Sequence, residues 1–271
     1  MSCDLKDKVV FITGGAIGIG AVSVKFFLEE GAKHVAVTDI DVNNGKQLEQ
    51  ELNSEYPGRV SFIKCDVTND EELFAAYDQV LNQYGYIDIV VNNAGLMNDS
   101  PKVYKKSIEV NVTALVTSTF KAWEFMRKDK SGRGGTIVNV ASIAAMIQDS
   151  FMPVYYATKS AVLQFSNCIG AKENYDKTGV KVIAICYGAT STSLLSKQKL
   201  QSFTDLYPNV EDIVKKFPAQ SVEAAAKGLV ETCKRGESGS TWLVINGKAA
   251  EDVTPVIQNA FSVLSEPVYQ Q

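Results

Sequence analysis

The chain has 271 residues, of which 45% are hydrophobic and 21% charged, a composition typical of a soluble globular protein rather than a disordered one. Its 27 basic and 31 acidic residues give a formal net charge of −4, which disfavours nucleic acid or an anionic membrane surface as a partner. No apolar run reaches the roughly 18 residues that span a membrane, the five cysteines are scattered and the single histidine stands alone, so we expect a cytoplasmic protein without a membrane helix or a metal site.

The first predicted element is a short strand that leads into a glycine-rich turn and a helix. The apolar run at 8–12 is followed by TGGAIGIG at 13–20 and by a helical pattern through residue 30. Without side chains at Gly14, Gly18 and Gly20, the backbone could turn tightly and approach a pyrophosphate at the helix N-terminus. Strand, glycine turn and helix form the context of a dinucleotide site, although such turns also serve as plain connectors.

The second predicted strand, at 34–38, ends in an acidic residue. Asp39 lies 19 positions beyond Gly20, close to the roughly 20 expected of the acid that binds an adenosine ribose. The alternative is that Asp39 caps the next helix. Neither the glycine turn nor Ile40 supplies a basic side chain that could pair with a 2′-phosphate. We therefore predict NAD(H) rather than NADP(H) as the cofactor.

Strands and helices continue to alternate along the rest of the chain. Apolar runs at 60–64, 87–91, 136–140, 180–186 and 242–245 indicate buried strands, and amphipathic segments separate most of them. This alternation predicts an α/β fold with a doubly wound parallel sheet, helices on both faces and right-handed crossovers, in one domain over 1–271.

Two stretches interrupt the alternation. The polar stretch around 188–220 predicts either an insert that covers the substrate or a loop without function. The tail from residue 249 has no clear period, which favours packing on the body or on a neighbouring subunit.

The stretch from Ser142 to Lys159 carries the strongest chemical signal. Tyr155 and Lys159 are four residues apart and would share one face of a helix, while Ser142 ends a strand at the edge where open parallel sheets bind ligands. A cation within roughly 4–6 Å lowers the pKa of a phenol and so makes it a better general base. We therefore predict that Lys159 lowers the pKa of Tyr155, although this spacing also occurs on ordinary helices.

With these motifs in place, the chain resembles the short-chain dehydrogenase/reductase family over nearly its whole length. The acidic residue after the second strand and the C-terminal half are most similar to 15-hydroxyprostaglandin dehydrogenases and related insect alcohol dehydrogenases. The resemblance implies a single-domain Rossmann-like sheet of about seven strands and a homodimer or homotetramer with the helix that carries Tyr155 in the interface. In chain order, the matching pieces are TGGAIGIG at 13–20, Asp39, CDVT at 65–68, NNAG at 92–95, Asn111, Ser142 and YYATK at 155–159.

The resemblance also implies roles for the matching residues. Tyr155 would be the acid/base, Lys159 would also bind the nicotinamide ribose, and Ser142 would hold the substrate oxygen. Asn111 would fix a water in the proton relay. Asp66 and Val67 would contact adenine, and Asn93 would support the adenine ribose side. The implied cofactor-binding residues are Gly14, Gly18, Ile19, Gly20, Asp39, Ile40, Asp66, Val67, Asn93, Tyr155, Lys159, Thr190 and Thr192.

One position departs from the family pattern. Tyr187 replaces the family's proline after the sixth strand, whereas Gly188 and the threonine that would bind the nicotinamide amide, Thr192, keep their places. Losing the proline leaves this turn less constrained in φ. The sequence leaves the orientation of the Tyr187 phenol open, with the nicotinamide pocket as one place it could enter. The predicted substrate residues are Ser142, Met152, Tyr155 and Tyr187.

The remaining side chains around the predicted pocket are apolar. A cation from 197–199 could still reach a distant carboxylate on the substrate. The apolar residues expected there are Met97, Met146, Ile147, Phe151, Met152 and Leu195.

These observations predict an NAD-dependent oxidoreductase that interconverts a secondary alcohol and its ketone on an apolar body. The substrate would be prostanoid-, steroid-, terpenoid- or simple alcohol-like. The alternatives are a catalytically silent nucleotide-binding regulator and an NADPH-dependent carbonyl reductase.

Overall fold

The computed structural model describes residues 4–196 and 199–269, and its centre is a single twisted sheet. Within those residues the sheet has eight strands, and every neighbouring pair is parallel except the last. The strands are β1 Val9–Thr13, β2 His34–Asp39, β3 Val60–Lys64, β4 Ile89–Asn92, β5 Gly135–Val140, β6 Val180–Tyr187, β7 Thr241–Val244 and β8 Glu251–Asp252. Their spatial order is β3-β2-β1-β4-β5-β6-β7-β8, so the predicted α/β fold with a mostly parallel sheet is confirmed.

Helices connect most of the parallel strands. Their bounds in the described residues are α1 Gly18–Glu29, α2 Val42–Glu55, α3 Asp70–Tyr84, α4 Tyr104–Ile108, α5 Leu115–Met126, α6 Pro153–Ile169, α7 Lys172–Thr178, α8 Val210–Val214, α9 Val222–Arg235 and α10 Thr254–Tyr269. A π-helical turn, Glu109–Ala114, joins α4 to α5. No helix in the described part of the chain is both long and apolar enough to cross a membrane.

The strands are buried on both faces because helices cover each side. Alternate strand residues pack against α1, α2 and α9 on one face, where Phe27 and Leu229 are fully buried. The residues between them pack against α3 and α5, where Phe11 stacks on Tyr77 with ring centroids 4.1 Å apart. The helix α6 extends this second layer through Val162 and Leu163. Such two-sided burial explains why the strands appear in the sequence as continuous apolar runs.

The strand order reverses between β1 and β4, which opens a crevice at the carboxyl ends of the strands. The loops after β1, β2, β4, β5 and β6 all reach that edge. The functional residues therefore gather there.

The C-terminal region differs in detail from the sequence prediction. The two residues of β8 add an eighth, antiparallel strand beside β7, where about seven strands were expected. The tail forms α10, whose first turns pack on the body through Ile257 while the rest is exposed. The segment after β6 contains a 3-10 turn, Ser193–Leu195, and α8. Its two ends meet where Thr190 pairs with Gln220, so the insert leaves and rejoins the body at one place.

Candidate active site

A cavity of about 530 Å³ lies at the carboxyl edge of the sheet. Strand ends and the glycine turn form its floor, and the insert forms its opposite wall. Most of the predicted cofactor and substrate residues line it, namely Gly14, Gly18, Ile19, Asp39, Ile40, Asp66, Val67, Asn93, Ser142, Tyr155, Lys159, Tyr187, Thr190 and Thr192. Gly20, Asn111 and Met152 belong to the predicted set but do not line this cavity.

The glycine turn has the shape that a phosphate site needs. Gly14 and Gly18 have positive φ values of 62° and 60°, which L side chains rarely adopt. Gly20 lets the first turn of α1 pack closely on the glycine turn, because a Cβ on residue 20 would lie 2.4 Å from the Gly14 carbonyl oxygen. The helix α1 begins with neither a capping side chain nor an acidic residue in its first turn, so its N-terminal N–H groups suit an anion.

Two polar side chains hold this turn in place. Asp39 Oδ2 accepts a hydrogen bond from the Ala16 N–H at 3.0 Å, and its Oδ1 accepts one from the Asp41 N–H. Asn93 Nδ2 donates to the carbonyl oxygens of Thr13 and Gly14 at 3.0 and 2.8 Å. Asp39 is not the helix cap that the alternative interpretation allowed, since Asp41 caps α2. Asp39 and Asn93 therefore shape the turn as well as line the cavity.

The far end of the cavity is bounded by Asp66 and Val67. Asp66 Oδ1 accepts hydrogen bonds from the N–H and hydroxyl of Thr68, and its other oxygen lies 3.5 Å from Lys106 Nζ. Lys106 itself lines the cavity, as does Lys199 from the insert. Sequence reasoning identified neither of these cations as part of the cofactor cleft. Lys197, which shared the prediction of a distant cation, lies outside the described residues.

Ser142, Tyr155 and Lys159 come together at the other end of the cavity. The helix α6 places Tyr155 and Lys159 on its buried face, where they are 7% and 4% exposed. Lys159 Nζ lies 5.9 Å from the centroid of the Tyr155 ring. The Ser142 hydroxyl lies near enough to the Tyr155 phenol to lower the pKa of that phenol. The three groups predicted from spacing therefore face one another at one point.

The pKa values of this group reflect its burial. Burial raises the pKa of Tyr155 to about 12, and the nearby Ser142 hydroxyl offsets only part of that increase. Burial also lowers the pKa of Lys159 to about 8, so the ammonium is less able to favour a phenolate. Burial therefore dominates the pKa of Tyr155 in this structure, and Lys159 is not among the groups that shift it, so the lowering of this pKa by Lys159 stays a prediction.

Lys159 is fixed by the strand beside it and lies close to Gly95 in the loop after β4. Its Nζ donates to the Val140 carbonyl oxygen at 2.8 Å. Gly95 lies beside both Lys159 and Asn111, because a Cβ at this position would be in ordinary van der Waals contact with Lys159 Nζ at 3.8 Å and Asn111 Oδ1 at 3.4 Å.

Asn111 sits in the π-helical turn beneath this group. Its side chain accepts the Leu96 N–H at 2.7 Å and donates to the Leu96 carbonyl oxygen and to Thr158 Oγ1. Both amide protons of Asn111 are thus used to join the loop after β4 to α6. A role for its side chain in binding water stays a prediction, since these bonds already occupy its donors.

The side chains of two predicted substrate residues lie outside the cavity. Met152 is fully buried in the packing between α6 and the insert, with Leu200 and Val210, and does not line the cavity. The ring of Tyr187 packs in the core on the α1 and α9 side, because it shares the strand face of Ile183 and Ile185. Only its carbonyl oxygen turns toward Ser142, whose hydroxyl lies 3.4 Å away. Of the orientations that the sequence left open, the Tyr187 phenol thus takes the one in the core rather than the one in the nicotinamide pocket.

The wall near Tyr155 is largely apolar. Of the apolar residues expected there, Met97, Ile147, Phe151 and Leu195 line the cavity, whereas Met146 does not. Further apolar lining residues that sequence reasoning missed are Leu194, Val214 and Phe217. In the described residues, no group of three or more His, Cys, Asp and Glu side chains could hold a metal ion.

Comparison with known proteins identifies the class to which this site belongs. The family model for short chain dehydrogenases matches residues 8–202. The human protein named 15-hydroxyprostaglandin dehydrogenase [NAD(+)] is 30% identical over 228 residues, which are 82% of this chain and 85% of that protein. Alcohol dehydrogenase 1 of Ceratitis cosyra is 29% identical over 263 residues, or 97% of this chain and 98% of that one.

Solved structures agree on the fold. A mutant short-chain dehydrogenase/reductase of Serratia marcescens superposes with a TM-score of 0.74 at 22% identity, over 90% of this chain and 99% of that one. The chain belongs to the short-chain dehydrogenase/reductase family. Members of this family are oxidoreductases that bind a nicotinamide cofactor, and the predicted similarity to 15-hydroxyprostaglandin and insect alcohol dehydrogenases is confirmed.

Proposed function

We propose that this protein is an NAD-dependent dehydrogenase that interconverts a secondary alcohol and its ketone on an apolar substrate. The observation that carries the proposal is the meeting of Ser142, Tyr155 and Lys159 in the same cavity as the glycine turn. One end of that cavity suits a pyrophosphate and the other a reacting hydroxyl, so cofactor and substrate would lie side by side.

The residues of the cleft fit a nicotinamide dinucleotide. The glycine turn and the uncapped start of α1 would hold its phosphates, and Asp39 would accept hydrogen bonds from the adenosine ribose. Val67 and Asp66 would border the adenine, and Lys159 would reach the nicotinamide ribose. The bound cofactor supplies the hydride acceptor or donor.

The protein's own residues would handle the proton. As a phenolate, Tyr155 would accept the proton of the alcohol during oxidation, and as a neutral phenol it would donate a proton to the ketone during reduction. Ser142 would donate a hydrogen bond to the substrate oxygen as negative charge develops on it. A buried phenol with a pKa of about 12 starts neutral, which suits the proton-donating direction as it stands.

The apolar wall supports an apolar substrate. Met97, Ile147 and Phe151 lie beside the reacting end, where a polyol would leave its hydroxyl groups without partners. Each additional buried CH₂ contributes roughly 0.8 kcal/mol to binding. KM should therefore fall along the series butan-2-ol, hexan-2-ol and octan-2-ol until the pocket is full. A flat or rising KM would favour a small-polyol or sugar substrate.

Turnover with two tyrosine variants tests the mechanism. NADH formation is followed by absorbance with NAD⁺ and a panel of secondary alcohols, steroids, terpenoid alcohols and prostanoids. Tyr155→Phe should lower kcat on the order of 10²-fold or more, because no other group replaces the phenolic proton. Tyr156→Phe is the matched control, since its ring also borders the cavity, 6.5 Å from that of Tyr155.

The outcomes separate the competing functions. Near wild-type kcat in a folded Tyr155→Phe variant that binds NADH would rule out the mechanism. Tight NADH binding without turnover of any panel member would favour the silent nucleotide-binding regulator.

The choice of cofactor has a testable alternative. Asp39 would repel a 2′-phosphate and so favours NAD(H). Lys199, however, lines the same cleft, as Lys106 does, and its ammonium could pair with the 2′-phosphate of NADP(H). We expect kcat/KM to be higher with NAD⁺ than with NADP⁺, and Asp39→Ala to narrow that difference. A preference for NADP⁺ that disappears in Lys199→Met would instead assign the phosphate contact to Lys199 and favour the NADPH-dependent reductase.

We further propose a homodimer or homotetramer that acts in the cytoplasm. Phe120 on α5 is 55% exposed and contacts Phe165 on α6, so an apolar patch lies on the helix that carries Tyr155. Light scattering coupled to gel filtration measures the subunit number, and a monomer at micromolar concentration would contradict the oligomer.

A further inference from the structure

Asp99 is a buried carboxylate close to the reacting residues, and the proposed chemistry does not use it. It is 1% exposed and lies between β4 and α4. Burial raises its pKa, and among the described residues no cation forms an ion pair with it. An unpaired buried charge is costly, so its surroundings must stabilise it in another way.

The stabilising partner is the first turn of α6. Asp99 Oδ2 accepts the Val154 N–H at 2.7 Å, and Oδ1 accepts the Tyr155 N–H at 2.9 Å. The helix has no cap of its own, because Met152 at the N-cap position makes no side-chain hydrogen bond and Pro153 has no N–H. The carboxylate from a distant loop therefore caps the helix that carries Tyr155 and Lys159.

A carboxylate suits this position better than a neutral side chain. Each of its two oxygens accepts one N–H, and the positive end of a 17-residue helix lies against its negative charge. An asparagine of the same size would turn its NH₂ group toward one of the two donors. The backbone of Tyr155, the residue that would exchange the proton, is thus fixed through a charged acceptor.

The same segment also holds the insert. The Asp99 N–H donates to the Gln201 carbonyl oxygen at 2.8 Å, and Asn98 Nδ2 donates to the Lys199 carbonyl oxygen at 2.9 Å. On the other side of the helix start, Ser202 Oγ donates to the Phe151 carbonyl oxygen at 2.6 Å. The start of α6 and the wall of the substrate cavity are therefore joined through one short segment.

We propose that Asp99 is a positioning residue for the alcohol–ketone reaction. Its carboxylate fixes the first turn of α6, and with it the Tyr155 phenol relative to Ser142, while its backbone ties that turn to the insert. This inference rests on the proposed function. It assigns to Asp99 a role in orienting the proton-transfer residue, without contact to the cofactor or the substrate.

Kinetics of Asp99 variants test the positioning. Asp99→Asn and the smaller Asp99→Ser keep the backbone bond to Gln201 and remove the charged cap. With octan-2-ol and saturating NAD⁺, kcat should fall at least about tenfold, since a misplacement of about 1 Å at a reacting group can cost 10²-fold. The KM for octan-2-ol and the Kd for NADH, measured by fluorescence, should change less than about threefold.

A second helix cap supplies the matched control. Asn69 caps α3 by accepting the N–H groups of Glu71 and Glu72, the same two-donor arrangement away from the cavity. Asn69→Ala should lower the melting temperature as the Asp99 variants do and leave kcat within about twofold. Near wild-type kcat in both Asp99 variants overturns the proposal, and so does an equal fall in Asn69→Ala.

Hydrogen exchange by mass spectrometry gives a readout that does not depend on turnover. The amides at 154–158 should exchange at least about tenfold faster in the Asp99 variants and at the wild-type rate in Asn69→Ala. Absence of wild-type turnover with the whole alcohol panel would refute the proposed function, whatever the exchange result. Unchanged exchange at 154–158 in both Asp99 variants refutes the anchoring by Asp99 even if the enzyme is active.

Discussion

Replacement of Lys159 should stabilise the fold at neutral pH while it abolishes catalysis. The ammonium is 4% exposed and has one hydrogen bond, to the Val140 carbonyl oxygen. Burial lowers its pKa from 10.5 to about 8. Lys159→Met keeps the length of the side chain and removes the titrating group, so the variant isolates the cost of holding this amine in the core.

The magnitude and sign of the effect follow from that pKa. The pKa of Lys159 is about 2.5 lower in the folded protein than in the unfolded chain. A difference of one in pKa corresponds to about 1.4 kcal/mol, so the buried ammonium destabilises the folded state by about 3 kcal/mol. Below pH 8 the unfolded chain binds a proton more tightly than the folded protein, so this penalty is fully present. It fades as pH rises from about 8 to 10.5, where both states are neutral. The wild-type protein should therefore gain stability with pH relative to the variant.

Urea unfolding without cofactor, followed by circular dichroism, measures this difference. Between pH 7 and pH 9.5 the free energy of unfolding of the wild-type protein should rise by about 2 kcal/mol relative to Lys159→Met. Loss of the bond to Val140 shifts the two curves by a constant and leaves their divergence intact. Lys181→Met, which removes a partly exposed lysine that donates to the Gly236 carbonyl oxygen, is the control. Parallel stability curves for wild type and Lys159→Met would refute the reasoning.

Three other variants test separate parts of the structure. Burial lowers the pKa of His34 to about 4, so up to about 3 kcal/mol of stability should be lost as pH falls from 6.5 to 4, and urea unfolding of His34→Gln should not show that loss. Tyr187→Phe should leave kcat within about twofold and keep or raise the melting temperature, since the buried hydroxyl has no hydrogen-bond partner in the described residues; a large fall in kcat would place the phenol at the substrate. Gly20→Ala should abolish NADH binding in a fluorescence titration, because its Cβ would collide with the Gly14 carbonyl oxygen; wild-type affinity would contradict this account of the turn.

The strands of the sheet and the proximity of Ser142, Tyr155 and Lys159 could be predicted from the sequence, because both follow from local patterns. Apolar runs fix the strands, and a spacing of four residues fixes one helix face. The sign of the Tyr155 pKa change was out of reach, since it depends on how completely the surrounding chain excludes water. The same limit applies to Tyr187, whose strand is buried on both faces, so that no alternation of polar residues shows which face its ring takes.

Residues brought to the site by irregular segments were also missed. Lys199 reaches the cofactor cleft, and Asp99 reaches the start of α6, from stretches without a helical or strand period, whereas Lys106 lies on α4, whose five residues are too few to show one. Their positions depend on long-range backbone pairing such as that between Asp99 and Gln201. The short strand β8 was missed for a related reason, because two residues are too few to show a pattern.

The hydrogen bond from the Ala16 N–H to Asp39 has a consequence for redesign of the cofactor preference. Asp39, which would select the ribose, also holds the loop that would bind the pyrophosphate. A substitution at Asp39 therefore changes ribose selection and loop structure together. Replacing Asp39 alone to admit a phosphorylated ribose would loosen the loop and weaken both dinucleotides. A successful exchange would need a second change that restores an acceptor for Ala16, for instance from the neighbouring loop. A natural change of cofactor preference would need the same two substitutions, one at Asp39 and one that restores the acceptor for Ala16.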